Sequence, residues 1–291
     1  MGFRIIRVTS RCKLETQLNY LVCRNEKETR VPLDEIDLVI IESQQAVITE
    51  ALITALLQHK VKILLCDETH HPQGEINAYS ICYDSPDKLR KQVDWTQEKK
   101  DLLWQQIMKQ KIHNQALVLK RHHEEEAYLI LSRLETQVEP GDPTNREGLA
   151  AKTYFPAVFG EGFIRERHGG GYNDMLDYGY SVLLALVDRA ISIYGYNASF
   201  GIHHRGKANV YNLGSDLMEP MRPFIDDYIL SNDLAPDDYK HDLLQAFGQN
   251  VDFNGRHEIF QNAIFDYVLS CLQALSPDDD ALSKPISFMD L

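Results

Sequence analysis

Cysteine is scarce. The five present, Cys12, Cys23, Cys66, Cys82 and Cys271, form no C-x-x-C pair in 291 residues. That excludes a small disulfide scaffold and a cysteine-built zinc site, and reduced, idle thiols are expected instead. No apolar run approaches the roughly 18–20 residues that a membrane-spanning helix needs. The first ten residues alternate arginine with apolar side chains and lack an uninterrupted apolar core. They do not read as a signal peptide, so a soluble cytoplasmic protein with no membrane partner is expected. Internal repeats are missing too. Basic residues are outnumbered, 30 Lys and Arg against 43 Asp and Glu, for a net charge of −13. Taken whole, that balance argues against a surface coated in positive charge. The deficit is local, however. Residues 225–291 hold 3 basic and 13 acidic side chains, whereas residues 144–224 hold 8 of each. Polyanion binding in that middle segment stays open.

What is present is ordinary globular composition, 44% hydrophobic and 25% charged, which excludes a disordered or fibrous chain. At roughly 150 residues per domain the length fits one large domain or two modest ones. Residues 3–8, 20–23, 37–41 and 61–66 are β-prone runs, with a last strand expected over 75–81. Apolar spacing places one helix over 46–59 among them. The turn chemistry of Tyr83-Asp84-Ser85-Pro86-Asp87 marks a boundary, giving domains over 1–85 and 86–291. Beyond it the periodicity is helical over 95–137, with Trp104, Ile107, Met108 and Ile112 on one face. Further helices fit 146–159, 173–194, 216–231 and 256–275. The tail from 276, with Pro277, three aspartates and Pro285, reads as frayed or peripheral. The expected fold class is α+β: a small N-terminal β-rich domain followed by a larger all-α domain.

Three stretches of the second domain carry chemistry. In Thr144-Asn145-Arg146-Glu147-Gly148, the Thr-x-x-Glu spacing has the form of a helix-starting capping box, which by itself would explain Glu147. Gly201-Ile202-His203-His204-Arg205-Gly206-Lys207 reads as a loop between helices, where adjacent histidines point apart and one at most serves a site. In Ser215-Asp216-Leu217-Met218-Glu219, Ser215 is a plausible N-cap, and Asp216 and Glu219 then share one helical face. Like charges so placed repel by about 0.2–0.5 kcal/mol. Pairing with Arg222 and the helix dipole would relieve that repulsion, and so would a cation between the two acids. On the repulsion alone, Glu219→Gln is expected to be as stable as wild type or slightly more so without metal. Glu147, His204, Asp216 and Glu219 together form an oxygen-rich set with one imidazole, better suited to Mg²⁺ or Mn²⁺ than to zinc. Arg146, Arg165, Arg167, Arg205, Lys207 and Arg222 lie beside it in sequence and are candidate contacts to a polyanion. Three other clusters read as structural. Arg121-His122-His123-Glu124-Glu125-Glu126 fits a solvated helix face. Cys66-Asp67-Glu68-Thr69-His70-His71 lacks a second ligand pair. Gly169-Gly170-Gly171 follows no strand and fits no nucleotide-binding loop.

The order and spacing of several short motifs resemble the CRISPR-associated integrase (Cas-one) family, in particular its type II branch. They are Met1-Gly2-Phe3-Arg4-Ile5 with Leu33-Asp34-Glu35-Ile36, Lys60-Val61-Lys62-Ile63-Leu64-Leu65-Cys66-Asp67, and Thr144-Asn145-Arg146-Glu147-Gly148 with Ala150-Ala151-Lys152. Phe159-Gly160, Phe163 and Arg165, then Leu176-Asp177-Tyr178-Gly179-Tyr180 and Asp216-Leu217-Met218-Glu219-Pro220-Met221-Arg222-Pro223, complete the set. The loop from Arg165 to Asn173, with its three glycines, departs from the family pattern. The resemblance implies an N-terminal β domain, a helical catalytic domain and a homodimer. It places a metal site on Glu147, His204 and Glu219, with Asp216 supporting, and prefers His204 over His203 by its distance from Glu219. It further implies integrase chemistry, in which the 3′-hydroxyl of a short foreign DNA attacks a phosphodiester at a CRISPR repeat, with DNA cleavage at the same site. The implied partners are DNA, Cas-two bridging two dimers and, in type II systems, Csn-two and Cas-nine. Two alternatives stay open on the residues: a purely hydrolytic metal-dependent nuclease or phosphodiesterase, and a non-catalytic scaffold.

Overall fold

The computed structural model describes residues 2, 4–68, 72–78, 82–232, 234, 239–276 and 282–288. The chain separates into two compact units, Met1–Tyr83 and Asp84–Leu291.

The first unit holds two sheets. Strands β1 (Arg4–Val8), β2 (Lys13–Gln17), β3 (Tyr20–Arg24), β4 (Glu28–Pro32), β5 (Ile36–Ile41) and β6 (Val47–Ile48) precede helix α1 (Glu50–Gln58) and strands β7 (Lys62–Cys66) and β8 (Pro72–Ile76). One sheet runs β1-β5-β7-β8, parallel except for β8; the other runs β4-β3-β2-β6. Strand β5 is buried at all six positions, as expected of an apolar run flanked on both sides by parallel partners. Helix α1 starts later than its apolar pattern does, because the Thr49 hydroxyl caps it by accepting from the Leu52 N–H. Its Leu52 and Leu56 close the core against Leu14, Val39 and Ile63, each burial contributing about 1.5–3 kcal/mol. Of the strand expected over 75–81, residues 79–81 lie outside the described residues, as do Thr69, His70 and His71 of the Cys66 cluster.

The second unit is mostly helical, in line with the expected class. It comprises α2 (Ser85–Val93), α3 (Gln97–Arg121), α4 (Glu125–Thr136), α5 (Arg146–Phe159), α6 (Tyr172–Ile193), α7 (Asn212–Leu217), α8 (Arg222–Ser231), α9 (Tyr239–Leu243) and α10 (Phe260–Ala274). The single helical run expected over 95–137 is broken at the Arg121 cluster: α3 ends there, His123 takes a left-handed conformation, and α4 begins at Glu125. Within that cluster His123, Glu124, Glu125 and Glu126 are solvated as expected, but Arg121 and His122 both pair with the buried Asp227, at 2.8 and 3.0 Å.

The unit is not all-α. Strands β9 (Asn250–Phe253), β10 (Arg256–Ile259) and β11 (Ile286–Ser287) form a sheet in the order β10-β9-β11. Residues 256–259, expected to open the last helix, instead form β10. Asn254 and Gly255 both have positive φ, as a tight two-residue hairpin demands. The tail is not peripheral at residues 286–288. Ile286 is buried in β11, and Phe288 stacks on Phe224 with ring centroids 4.3 Å apart. Residues 277–281, with the three aspartates, lie outside the described residues.

Candidate active site

Helix α3 is the scaffold. Trp104, Lys111 and Asn114 all lie on its buried side. The Asn114 side-chain amide donates to the Pro220 carbonyl at 2.7 Å and to the Ile286 carbonyl at 3.0 Å. One buried amide thus fixes both the tail and the short 3₁₀ turn Glu219–Met221.

Glu147 stands in the first turn of α5, but no Thr144 capping box holds it. Asn145 is the cap: its φ is +52°, and its side-chain oxygen accepts from the Gly148 N–H at 3.0 Å. A Cβ at Gly148 would lie 2.7 Å from that amide, so a larger residue there would displace the capping side chain. Buried Asp142 takes the next two donors, the Arg146 and Glu147 N–H groups. With those donors satisfied, the Glu147 carboxylate reaches away from its own helix and accepts from Lys111 Nζ at 2.6 Å.

Ser215 is not an N-cap, and Asp216 and Glu219 do not share a regular helix. Helix α7 ends at Leu217, and the 3₁₀ turn re-aims Glu219. The two acids have separate partners. Buried Asp216 accepts from the N–H groups of Ile202, His203 and His204 and binds His204 Nδ1 at 2.5 Å. Gly201 permits this turn, because a Cβ there would meet the His204 carbonyl at 2.4 Å. Buried Glu219 instead lies 2.7 Å from Lys111 Nζ and 3.0 Å from Arg222 Nη2. Its Oε2 makes the Lys111 contact as an ion pair rather than a well-directed hydrogen bond. The two histidines are told apart by their neighbours. His203 lies flat on Trp104, centroids 4.1 Å apart and planes within 3°, while His204 is turned edge-on and held by Asp216.

The electrostatics ties these groups together. Burial alone would push the Lys111 ammonium down, but the Glu219 and Glu147 carboxylates outweigh it and hold the group above the ordinary lysine range. Lys111 in turn holds Glu147 below the usual carboxylate range, helped by Arg222 and His204. The Asp216 hydrogen bond raises His204, with Glu219 adding to the effect. Glu147 and Glu219 are therefore brought together on Lys111, a residue the sequence motifs do not mark, with Arg222 on Glu219 and with His204 near enough for its charge to act on Glu147. A neutral imidazole donating Nδ1–H to Asp216 presents Nε2 as a lone pair, the orientation a metal-ligating histidine needs. Among the described residues, no three His, Cys, Asp or Glu side chains stand close enough to cage a metal ion as placed. The cation between the two glutamates is Lys111.

The other basic candidates divide. Arg165 is engaged by Asp177 at 2.5 Å and by Asn173, pinning the glycine-rich loop to α6. Arg205 donates to Gln97 at 2.7 Å. Arg167 and Lys207 are exposed. The Arg146 Nε is buried and unsatisfied. The Arg222 guanidinium lies 4.9 Å from the centroid of the Tyr180 ring, and the Tyr180 hydroxyl donates to buried Asp226 at 2.5 Å.

Burial pushes the Asp226 carboxyl up to about 6 although Tyr180 and Tyr154 both donate to it. A carboxyl raised in the folded state binds more protons there than in the unfolded chain, where it titrates near pH 3.9. The contribution of Asp226 to stability should therefore fall as pH rises from about 4 to about 6, by an amount on the order of 3 kcal/mol, and level off above. Urea midpoints across that range should show this as a difference between wild type and Asp226→Asn that shifts against wild type as pH rises. Parallel profiles would place the titration elsewhere.

A family model described as CRISPR associated protein Cas1 matches residues 6–243. A CRISPR-associated endonuclease Cas1 of Neisseria meningitidis serogroup C (strain 8013) is 33% identical over 290 residues, covering 97% of this chain and 94% of that one. Among solved structures, a casposase bound to integration product superposes with a TM-score of 0.74 at 16% identity, covering 97% of this chain and 93% of that one. A Cas6-RT-Cas1–Cas2 complex gives 0.77 at 18% identity, covering 99% of this chain but 36% of the larger one. At such identities the likeness is one of fold. Among the described residues, no helix is long and apolar enough to cross a membrane.

Proposed function

The chain belongs to the CRISPR-associated Cas1 family, and from that premise we propose that it is the type II spacer-acquisition integrase that joins short foreign DNA to a CRISPR repeat. The observation that carries this proposal is the convergence of Glu147 and Glu219 on one cation position, beside a His204 oriented by Asp216. In the reaction, the 3′-oxygen of the incoming strand forms a bond to a repeat phosphorus. The bond from that phosphorus to the repeat's own 3′-oxygen breaks, and the proton lost by the attacking hydroxyl balances the one gained by the leaving oxygen. One phosphodiester replaces another, so no nucleotide hydrolysis is required. With water in place of the hydroxyl, the same site cleaves DNA.

The donor set suits Mg²⁺ or Mn²⁺: two carboxylates that already share one cation, Lys111, and one imidazole nitrogen facing away from its Asp216 anchor. Glu147, His204 and Glu219 would hold the ion, which supplies polarisation of the phosphoryl oxygen and stabilisation of the charge that develops on it. Asp216 fixes the imidazole. Arg222, braced on Tyr180, offers positive charge beside the reacting phosphate. We place DNA and Cas2 among its partners, supported by the casposase bound to integration product and the Cas6-RT-Cas1–Cas2 complex of like fold, and a second copy of the chain on the family resemblance alone. Csn2 and Cas9 complete the type II set.

The test is incubation with short duplex DNA and a supercoiled repeat-bearing plasmid, with and without Cas2 and Mn²⁺. Joined product is expected; fragments alone would return the protein to the hydrolytic class. DNA binding should lose salt dependence at the exposed basic ends. Lys207→Ala and Arg167→Ala should each flatten the log–log salt slope by about 0.9 on duplex DNA. Unchanged slopes in both variants would put the phosphates elsewhere.

A further inference from the structure

Lys111 touches both site glutamates, yet no motif marks it. Its side chain is 8% exposed and its ammonium touches both glutamates, while Glu147 is 34% exposed and His204 46%. The cluster is thus closed from below by α3 and open toward solvent on the Glu147 and His204 side. The two glutamates are already matched by cations, Glu147 and Glu219 by Lys111 and Arg222, while Asp216 is engaged by His204 and three backbone N–H groups. A divalent ion entering this cluster would add two positive charges next to an ammonium that already occupies the shared position. Arg222 is poorly placed to give way, since it is stacked on Tyr180 as well as paired with Glu219. Lysine is different, a compact charge on a flexible four-carbon stem.

We propose that Lys111 is a tethered counter-cation that holds Glu147 and Glu219 until nucleic acid arrives, then transfers its charge to a DNA phosphate as a divalent ion takes the two carboxylates. This rests on the assignment of Glu147, His204 and Glu219 to a divalent ion and adds to it a regulation of the same site. Metal binding and DNA binding are then reciprocally coupled, because each relieves the charge imbalance the other creates. Free protein holds the metal weakly, which confines the chemistry to the DNA-bound state. Lys111 is a positioning residue for the metal, and its effect is read in metal affinity.

Mn²⁺ binding, followed by the loss of the free-ion electron paramagnetic resonance signal, tests this in the full-length protein. The DNA probe is a short duplex with 3′-deoxy ends, which can bind but cannot attack. In wild type, the duplex should tighten Mn²⁺ binding on the order of tenfold or more. Lys111→Met should bind Mn²⁺ tightly without DNA, within a few-fold of the DNA-bound wild type, and Lys111→Arg should keep the coupling. Equal wild-type affinity with and without the duplex would overturn the proposal whether or not the Met variant folds. So would coupling that survives in Lys111→Met. Undiminished Mn²⁺ binding in both Glu147→Gln and Glu219→Gln would instead remove the metal site itself, and the role of Lys111 with it.

Discussion

Alanine at Glu147, His204 or Glu219, one at a time, is expected to lower DNA joining by at least roughly 10²–10³-fold, the effect of removing a group that stabilises developing charge in a phosphoryl or acyl transfer. Far-ultraviolet circular dichroism well below the melting transition should stay close to wild type, although the Glu219 variant, which loses a buried counter-ion, should melt lowest of the three. The three losses should also fail to add. Residues that act as one unit cost about as much singly as together, so the Glu147→Ala/Glu219→Ala double variant should be no worse than the poorer single one. His203→Ala is the control. Its ring packs on Trp104 and makes no contact with Asp216, so the variant should keep joining within a few-fold. Retained joining in His204→Ala, with loss in His203→Ala, would show that the wrong imidazole has been assigned to the site.

The second large effect concerns stability, and the structure reverses its sign. Read as a like-charge pair on a helix, Glu219 should be neutral or mildly harmful without metal. In the fold it is the shared counter-ion of Lys111 and Arg222, itself buried. Removing one partner of a buried pair leaves an uncompensated charge, at a cost of about 3–5 kcal/mol. Glu219→Gln in chelator should therefore melt well below wild type. Glu147→Gln should lose less, since Glu147 is partly exposed and Lys111 keeps Glu219. Equal melting temperatures for wild type and Glu219→Gln in chelator would mean that the ion pair contributes nothing and the helical repulsion was the better description.

These two outcomes show where sequence reasoning reached and where it stopped. The β-rich start and helical remainder were legible because β5, β7, α5 and α6 carry clean apolar patterns. Strand β2, Lys-Leu-Glu-Thr-Gln, was not legible, since only Leu14 faces the core and the remaining positions are polar. The β9–β10 hairpin had a usable signal in Asn254-Gly255, the pair that a two-residue hairpin favours, but the helical pattern of α10 directly after it extended the helix too far back. Glu147, His204, Asp216 and Glu219 stood out as an acid and imidazole set, whereas their division of labour did not. Asp216 and Glu219 look equivalent three residues apart, and only the end of α7 at Leu217 sends one to the imidazole and the other to Lys111. Lys111 had a trace in the sequence. It falls at helical spacing from Trp104 and Met108, on the face that packs inward, where a lysine needs an acidic partner. Nothing local named that partner, because Glu147 lies 36 residues away on another helix.

Anomalous diffraction at the manganese edge, from crystals grown with Mn²⁺ and the 3′-deoxy duplex, tests the central claim most directly: that one divalent ion is held where DNA strands are joined. The predicted result is a peak bounded by Glu147, His204 and Glu219, with Lys111 turned from the carboxylates toward a phosphate of the bound DNA. Lys111 still bridging the two glutamates, with DNA bound and the manganese peak on other residues, would contradict it.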